Sequence, residues 1–324
     1  MKWLALPLAV VLLYLAVRSV DPAEVLTTAT RANPWWMVAV WLSMTASQFA
    51  RSVRWRILLR AQGPISYPDA FWATTAGYVG NNVLPARAGE VIRTALAARA
   101  SGLPASFIFA TAMVERVMDV PTLVAAALVA SLFTGALAPV FEQALGVMAL
   151  AALGGVLFLL AAPSATRPIS WVLGRIPLGA QARERIGEQL GRLLLGFETL
   201  RQPRRVVPFL AMTVVVWSND IVTCLLLAQA LGLSMTVPMV ILLLAGLGLS
   251  SALPSTPGFV GIYQFVAVTV LTRFDFTPSA AIAYIVLLQT MIYAVVLPWG
   301  LSGMWLLGRR GHADQSLGKI MANH

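Results

Sequence analysis

The stretch Ala76-Gly77-Tyr78-Val79-Gly80-Asn81-Asn82-Val83-Leu84-Pro85-Ala86-Arg87-Ala88-Gly89-Glu90-Val91 decides how this chain is read, because an altered copy of it returns later. The second copy is Ala245-Gly246-Leu247-Gly248-Leu249-Ser250-Ser251-Ala252-Leu253-Pro254-Ser255-Thr256-Pro257-Gly258-Phe259-Val260. At the constant offset that carries Ala76 to Ala245, six of the sixteen positions are identical: Ala76/Ala245, Gly77/Gly246, Leu84/Leu253, Pro85/Pro254, Gly89/Gly258 and Val91/Val260. Each copy runs apolar, then polar, breaks at Pro and Gly, and turns helical again. Paired Gly/Pro-interrupted segments in two halves of a membrane protein point to a site between repeats.

The surroundings fix the class. Hydrophobic residues make up 59% of the 324 and charged residues 11%, against about 25% charged in soluble domains. Several runs approach the roughly 20 apolar residues that span a bilayer. The chain therefore reads as an all-α polytopic membrane protein. Net charge is +10, and every basic residue except Lys2 and Lys319 is arginine. The arginines cluster between apolar runs, which the positive-inside rule explains better than nucleic-acid binding does. Cys224 is the only cysteine, so no intrachain disulfide forms. His312 and His324, in the polar tail, are the only histidines. A His-ligated metal or a Ser/His/Asp triad inside the membrane is thereby excluded, and no cofactor is expected. The apolar stretch after Lys2 lacks a small-x-small cleavage pattern and is expected to be retained as a first span.

Six stretches are long enough to cross: about 3–20, 35–50, 104–135, 143–162, 206–231 and 278–307. Between them lie 70–84 with 87–100, and 237–253 with 258–272. Segment 87–100 carries Arg87, Glu90, Arg93 and Arg99, and a central charge costs about 2.5–3.5 kcal/mol on insertion scales. Each pair is expected to form a re-entrant hairpin, with tips at Pro85 and Gly89 and at Pro254, Pro257 and Gly258. Broken backbone at membrane depth must be buried in protein or line a wet cavity.

Arg51, Arg54, Arg56 and Arg60 are read as a cytoplasmic loop, as are the arginines of 163–205 and the tail 311–324. The N- and C-termini then both lie in the cytoplasm, and a single transmembrane domain covers 1–310. Its halves, about 35–135 and 206–307, would be inverted repeats whose hairpins enter from opposite faces. Within the basic amphipathic loop 163–205, Ile186, Leu190, Leu193, Phe197 and Leu200 recur at helical spacing. Segment 181–202 is either an amphipathic helix held by anionic inner-leaflet lipid or a linker helix packed under the bundle.

Charges inside the membrane are functional candidates because they are costly. Arg87, Glu90 and Arg93 flank the first tip, with Glu90 and Arg93 at i, i+3. Glu115, Arg116 and Asp119 lie within 104–135, and Asp220 beside Asn219 within 206–231. The alternative is that these charges neutralise one another and only hold the bundle together. Arg87, just after a proline turn that exposes backbone N–H groups, suits an anion such as a lipid phosphate. Asn81 and Asn82 either hydrogen-bond a headgroup or cap a helix end. Ser255 and Thr256 are placed to satisfy the second break, since no base stands by to make them nucleophiles.

These residues carry a resemblance. Arg54-Trp55-Arg56-Ile57-Leu58-Leu59, the run Gly80 to Arg93, Glu115-Arg116 with Asp119, and Leu253-Pro254-Ser255-Thr256-Pro257-Gly258-Phe259-Val260-Gly261 resemble the flippase-like membrane family. It is also called the lysylphosphatidylglycerol synthase transmembrane region. The likeness covers roughly 5–310. It implies movement of a phosphate-bearing lipid between leaflets of a bacterial cytoplasmic membrane, and a stand-alone member lacking the soluble aminoacyltransferase domain. It leaves the lipid and the oligomeric state open. A non-catalytic partner of a lipid- or glycosyl-transferase and an intramembrane lipid-modifying enzyme with Glu115 or Asp119 as base are the competing readings.

Overall fold

The computed structural model describes residues 2–84, 88–134, 139–165, 175, 179–250 and 256–322. Among the described residues the secondary structure is helical throughout. The chain is an all-α polytopic membrane protein. Two short helices, α1 (Lys2–Val17) and α2 (Pro22–Thr30), precede α3 (Pro34–Leu59). Asn33 caps α3 by accepting from the Trp35 N–H, and Pro34 opens it at the position where a missing N–H costs nothing. Helix α4 (Tyr67–Val83) starts likewise, with Ser66 accepting from the Asp69 N–H. It is followed by α5 (Gly89–Ser101), which Gly102 ends at φ 70°. Then come α6 (Ala105–Thr134), α7 (Pro139–Ala161) and α8 (Ala180–Glu198). The second half consists of α9 (Pro203–Ala230), α10 (Val237–Ser250), α11 (Ile262–Leu271) and α12 (Pro278–Ala322).

Four described segments are long and apolar enough to cross a membrane: Ala105–Thr134, Leu145–Ser164, Pro203–Ala230 and Pro278–Arg309. They correspond to four of the six expected spans. The other two differ. Helix α1 has 16 residues. Helix α3 has 26 residues, about 39 Å of helix, but carries arginines in its second half. Trp35, Leu132, Phe133 and Leu150 are more than 70% exposed on the outer faces. Such a surface suits lipid rather than water.

Helices α3 and α9 cross the middle of the molecule antiparallel. Rising numbers on one meet falling numbers on the other: Ser43 Oγ lies 2.7 Å from Thr223 Oγ1, Arg54 Nη1 donates to Thr213 Oγ1, and Arg205 Nη1 donates to the Ile57 carbonyl. Around this pair the two halves pack reciprocally. The first hairpin arm α4 lies against α12, and its counterpart α10 lies against α6. In each half the two arms pack on each other, and the second arm packs on the long helix that follows.

Small residues make the first hairpin close. A Cβ at Gly89 would stand 1.9 Å from the Gly77 carbonyl oxygen, so only glycine lets α5 start against α4 here. The largest cluster of buried apolar side chains joins α3, α6, α7, α9, α10, α11 and α12 around Leu227, Leu243, Tyr284 and Leu288. Helix α8 docks on α6, burying Leu194 and Phe197 with Leu58 and Phe209, while Ile186 stays exposed.

The sequence placed Arg51, Arg54 and Arg56 in a cytoplasmic loop. The structure corrects this: α3 continues through them to Leu59, and Arg54 is 2% exposed. The reason is pairing. A buried guanidinium is tolerated where carboxylates from other helices surround it, and those partners lie far away in sequence.

Candidate functional site

The charged residues of α3, α5, α6 and α9 meet in one network. Arg54 bridges two carboxylates of α6, donating from Nε to Glu115 at 3.2 Å and from Nη1 to Asp119 at 2.6 Å. Glu115 and Asp119 share a face of α6 because four residues make about one turn. The other oxygen of Glu115 accepts from Arg93 of α5. The Arg93 guanidinium lies 3.5 Å from the centroid of the Trp55 ring, and Trp55 Nε1 donates to Thr111. Asp119 also accepts from Trp217 Nε1 at 3.3 Å. Glu90, at the start of α5, accepts from both Nε and Nη2 of Arg116 at 3.1 and 2.9 Å and from Asn81 Nδ2 at 3.2 Å. Its expected partner Arg93 stands farther off, at 3.8 Å. Finally, Arg51 of α3 pairs with Asp220 of α9, which also accepts from Ser47 Oγ at 2.8 Å.

Four guanidiniums and four carboxylates therefore balance inside the bundle. Arg54 and Arg93 are buried behind the wall with every charged partner in place. Arg51 and Arg116 differ: their side chains keep 16% and 32% exposure, and both face a cavity of about 310 Å³. Both lie 5.9 Å from the Tyr78 ring centroid, within cation–π range.

The cavity sits between the two hairpins. Tyr78, Asn81 and Asn82 reach it from α4; Leu244, Leu247 and Gly248 from α10; Gly258, Phe259 and Tyr263 from beyond the second break. Helices α3, α9 and α12 close it with Gln48, Asp220 and Tyr293 among others. Gln48 is buried, and its Oε1 has no hydrogen-bond partner. A mostly apolar chamber of this size with a few convergent polar groups is the usual form of a ligand site.

Its lower-charge wall belongs to the second hairpin. Gln264 Oε1 accepts from the Gly261 N–H, Gln264 Nε2 donates to Gln289 Oε1, and Gln289 Nε2 donates to the Gly258 carbonyl. This chain of amides satisfies the broken backbone without ions. Thr256 does the same locally, donating to the Val260 carbonyl at 2.9 Å. Tyr293 ties α12 to the first tip by donating to the Asn82 carbonyl at 3.2 Å.

Of the residues singled out in the sequence, the structure brings Asn81, Asn82, Glu90, Arg93, Glu115, Arg116 and Asp119 into this network or its cavity wall. Asn81 holds Glu90, and Asn82 donates to its own helix at the Tyr78 carbonyl. Gly89 and Gly258 lie at the two breaks, and Pro257 opens the short 3-10 turn there. Arg87, Ser255, Pro85 and Pro254 lie outside the described residues. The network also holds residues that the sequence reading did not place in it: Arg51, Arg54, Ser47, Gln48, Tyr78 and Trp217. The signal for Arg54 was the compensation rule itself. Three carboxylates in apolar helices require as many cations, and the arginines at the end of an apolar run were the nearest supply. Among the described residues no group of three His, Cys, Asp or Glu is arranged to hold a metal ion.

Comparison with known proteins gives two matches and one blank. The family described as the lysylphosphatidylglycerol synthase TM region matches residues 2–300. A curated relative, Glycosyltransferase AglD of Haloferax volcanii, is 26% identical over an alignment 334 positions long that covers 92% of this chain and 53% of that protein. The chain thus spans about half the length of this relative. No solved structure matches it.

Proposed function

The chain belongs to the lysylphosphatidylglycerol synthase TM-region family, and from that premise we propose that it carries a phosphate-bearing lipid between the leaflets of a cell membrane, without nucleotide hydrolysis. The observation that carries this reading is the position of Arg51 and Arg116, the two cations of the network that face a cavity enclosed by both broken hairpins. An incoming phosphate would take donors from Arg51 and Arg116 in exchange for Asp220 and Glu90. Arginine suits this exchange because its planar fork can hold two acceptors at once. Gln48 and Asn81 offer acceptors to hydroxyl or ammonium groups of the same headgroup, while the acyl chains stay in the bilayer.

The reciprocal packing supports the transport half of the proposal. Arg51 and Asp220 stand 169 residues apart, the same spacing that carries Ala76 to Ala245. If the halves are repeats at this offset, the two are equivalent positions, and they touch. That is what an inverted repeat predicts for residues at its pseudo-two-fold axis. Rocking of one half against the other would pivot near this pair and open the cavity to either leaflet in turn.

A second reading is favoured by one observation. The relative named as a glycosyltransferase is matched over only half its length, so a module of this kind can exist beside other sequence. In that reading the chain presents lipid to a partner transferase.

Purified protein in vesicles, with a leaflet-resolved assay of a labelled anionic phospholipid or polyprenyl phosphate, tests the proposal. Wild-type protein should accelerate flipping, and Arg116→Gln should lower the rate about tenfold, the effect of about 1.4 kcal/mol lost at the headgroup. No acceleration across such a panel, with a membrane potential and a pH gradient imposed, leaves the partner reading in front.

A further inference from the structure

A second basic hollow lies at one end of the molecule, away from the central cavity. It has a volume of about 350 Å³ and is lined by Val53, Arg56, Ile57 and Arg60 from the end of α3 and by Arg204, Arg205 and Pro208 from the start of α9. Four guanidiniums line it and no carboxylate does. Two are held in place by backbone: Arg56 Nε donates to the Ile65 carbonyl at 2.8 Å, and Arg205 Nη1 to the Ile57 carbonyl at 3.4 Å. The side chains of Arg60 and Arg204 have no hydrogen-bond or ion-pair partner among the described residues.

Helix electrostatics sharpen the point. Arg56 and Arg60 sit at the C-terminal end of α3, where cations are favoured. Arg204 and Arg205 sit in the first turn of α9, where the helix dipole opposes them. The N-cap of α9, Gln202, makes no side-chain cap; its Oε1 accepts instead from Arg205 Nε at 2.7 Å. Four cations converge where two of them are disfavoured and the backbone N–H groups lack a side-chain acceptor. One occupant removes all these costs, namely an oxyanion.

Helix α9 says which kind. Beginning three residues past Arg204, Val207, Leu210 and Val214 recur along α9 at i, i+3 and i+7 and are 65%, 40% and 62% exposed. An exposed apolar stripe on a helix long and apolar enough to cross a membrane, starting within a turn of a cationic hollow, fits an acyl chain beneath a phosphate. We infer that this hollow binds the phosphodiester of an anionic glycerophospholipid, with a chain lying along α9. The site is separate from the transported headgroup. It holds together the ends of α3 and α9, the two central helices.

The experiment uses the full chain, delipidated in detergent, with anionic phosphatidylglycerol and zwitterionic phosphatidylcholine as probes and native mass spectrometry plus thermal unfolding as readouts. Wild type should retain the anionic lipid selectively and unfold at higher temperature with it. Arg60→Gln/Arg204→Gln should bind it about 25-fold more weakly, as two membrane-surface arginines are lost. Arg18→Gln/Arg31→Gln, the same charge loss at the opposite end, should bind like wild type and controls for net charge. Equal loss in both double variants, or equal retention of both lipids by wild type, overturns the inference. Displacement of the lipid by millimolar inorganic phosphate overturns the lipid assignment in favour of a soluble anion. A double variant that fails to fold is replaced by Arg60→Lys/Arg204→Lys, which should keep binding; loss of binding there would also overturn it.

Discussion

Arg54 illustrates what a buried charge does in this protein. It neutralises Glu115 and Asp119 together, at 2% exposure, under the ring of Phe209. Removing it leaves Asp119 without its ion-pair partner and Glu115 with Arg93 alone, and breaking a buried pair by deleting one partner costs about 3–5 kcal/mol. Arg54→Met should therefore cut the yield of folded protein and lower its unfolding temperature, measured by fluorescence size exclusion and thermal scanning. Arg51 and Asp220 are different. Both are partly exposed to the cavity, and their contact joins α3 to α9. Single substitutions Arg51→Gln and Asp220→Asn should each destabilise, and the double variant should recover part of the loss. A coupling energy of roughly 1–3 kcal/mol in the double-mutant cycle is expected for charges in contact. Strict additivity would show that the pair contributes nothing. At this scale the sequence was half legible. Glu90, Glu115, Arg116 and Asp119 drew attention because charge in an apolar run is expensive. Which arginine meets which carboxylate was not readable, since Arg54 and Glu115 are 61 residues apart and Arg51 and Asp220 still farther.

The hairpins belong to the scale of the element. Gly258 has φ 68°, a conformation that L side chains rarely adopt, and a Cβ there would stand 2.0 Å from the Tyr293 hydroxyl. Its counterpart Gly89 is constrained by contact alone. Gly258→Ala should destabilise by the sum of left-handed strain, about 1–2 kcal/mol, and overpacking, about 1–3 kcal/mol. Adding Tyr293→Phe removes the hydroxyl that the new methyl meets. The double variant should regain the second part and keep the first, as read by thermal unfolding in detergent. No rescue at all would place the clash elsewhere. The sequence located both breaks because Gly and Pro interrupt helices whatever surrounds them. It ended the second span too early, at about 50: α3 runs on to Leu59. Hydropathy ends a helix where charge begins, whereas backbone hydrogen bonds continue as long as the side chains find partners.

At the scale of the whole molecule, α3 and α9 form the axis, and each half lends a hairpin arm to the long helix of the other. This exchange makes a testable topology. On a Cys224→Ser background, cysteines at Gln62 and Ser101 should label from one side of the membrane, because α4 and α5 form a hairpin. Cysteines at Arg31 and Asp275 should label from the other. Labelling of 62 and 101 from opposite sides would make the first hairpin a crossing pair and end the inverted-repeat account. The basic hollow and Arg201, which donates to the Leu160 carbonyl, lie at the end shared by position 62.

The sequence by itself determined the membrane class, the helical content, the two breaks and the residues too costly to be accidental. All of these follow from local physics, namely the transfer cost of each side chain and the backbone limits of Gly and Pro. Only the tertiary structure decided that Arg54 and Arg93 are locked behind the wall while Arg51 and Arg116 face the cavity. A guanidinium's role is set by how many carboxylates the packing brings to it. That number depends on helices from both halves meeting, which no window of sequence contains.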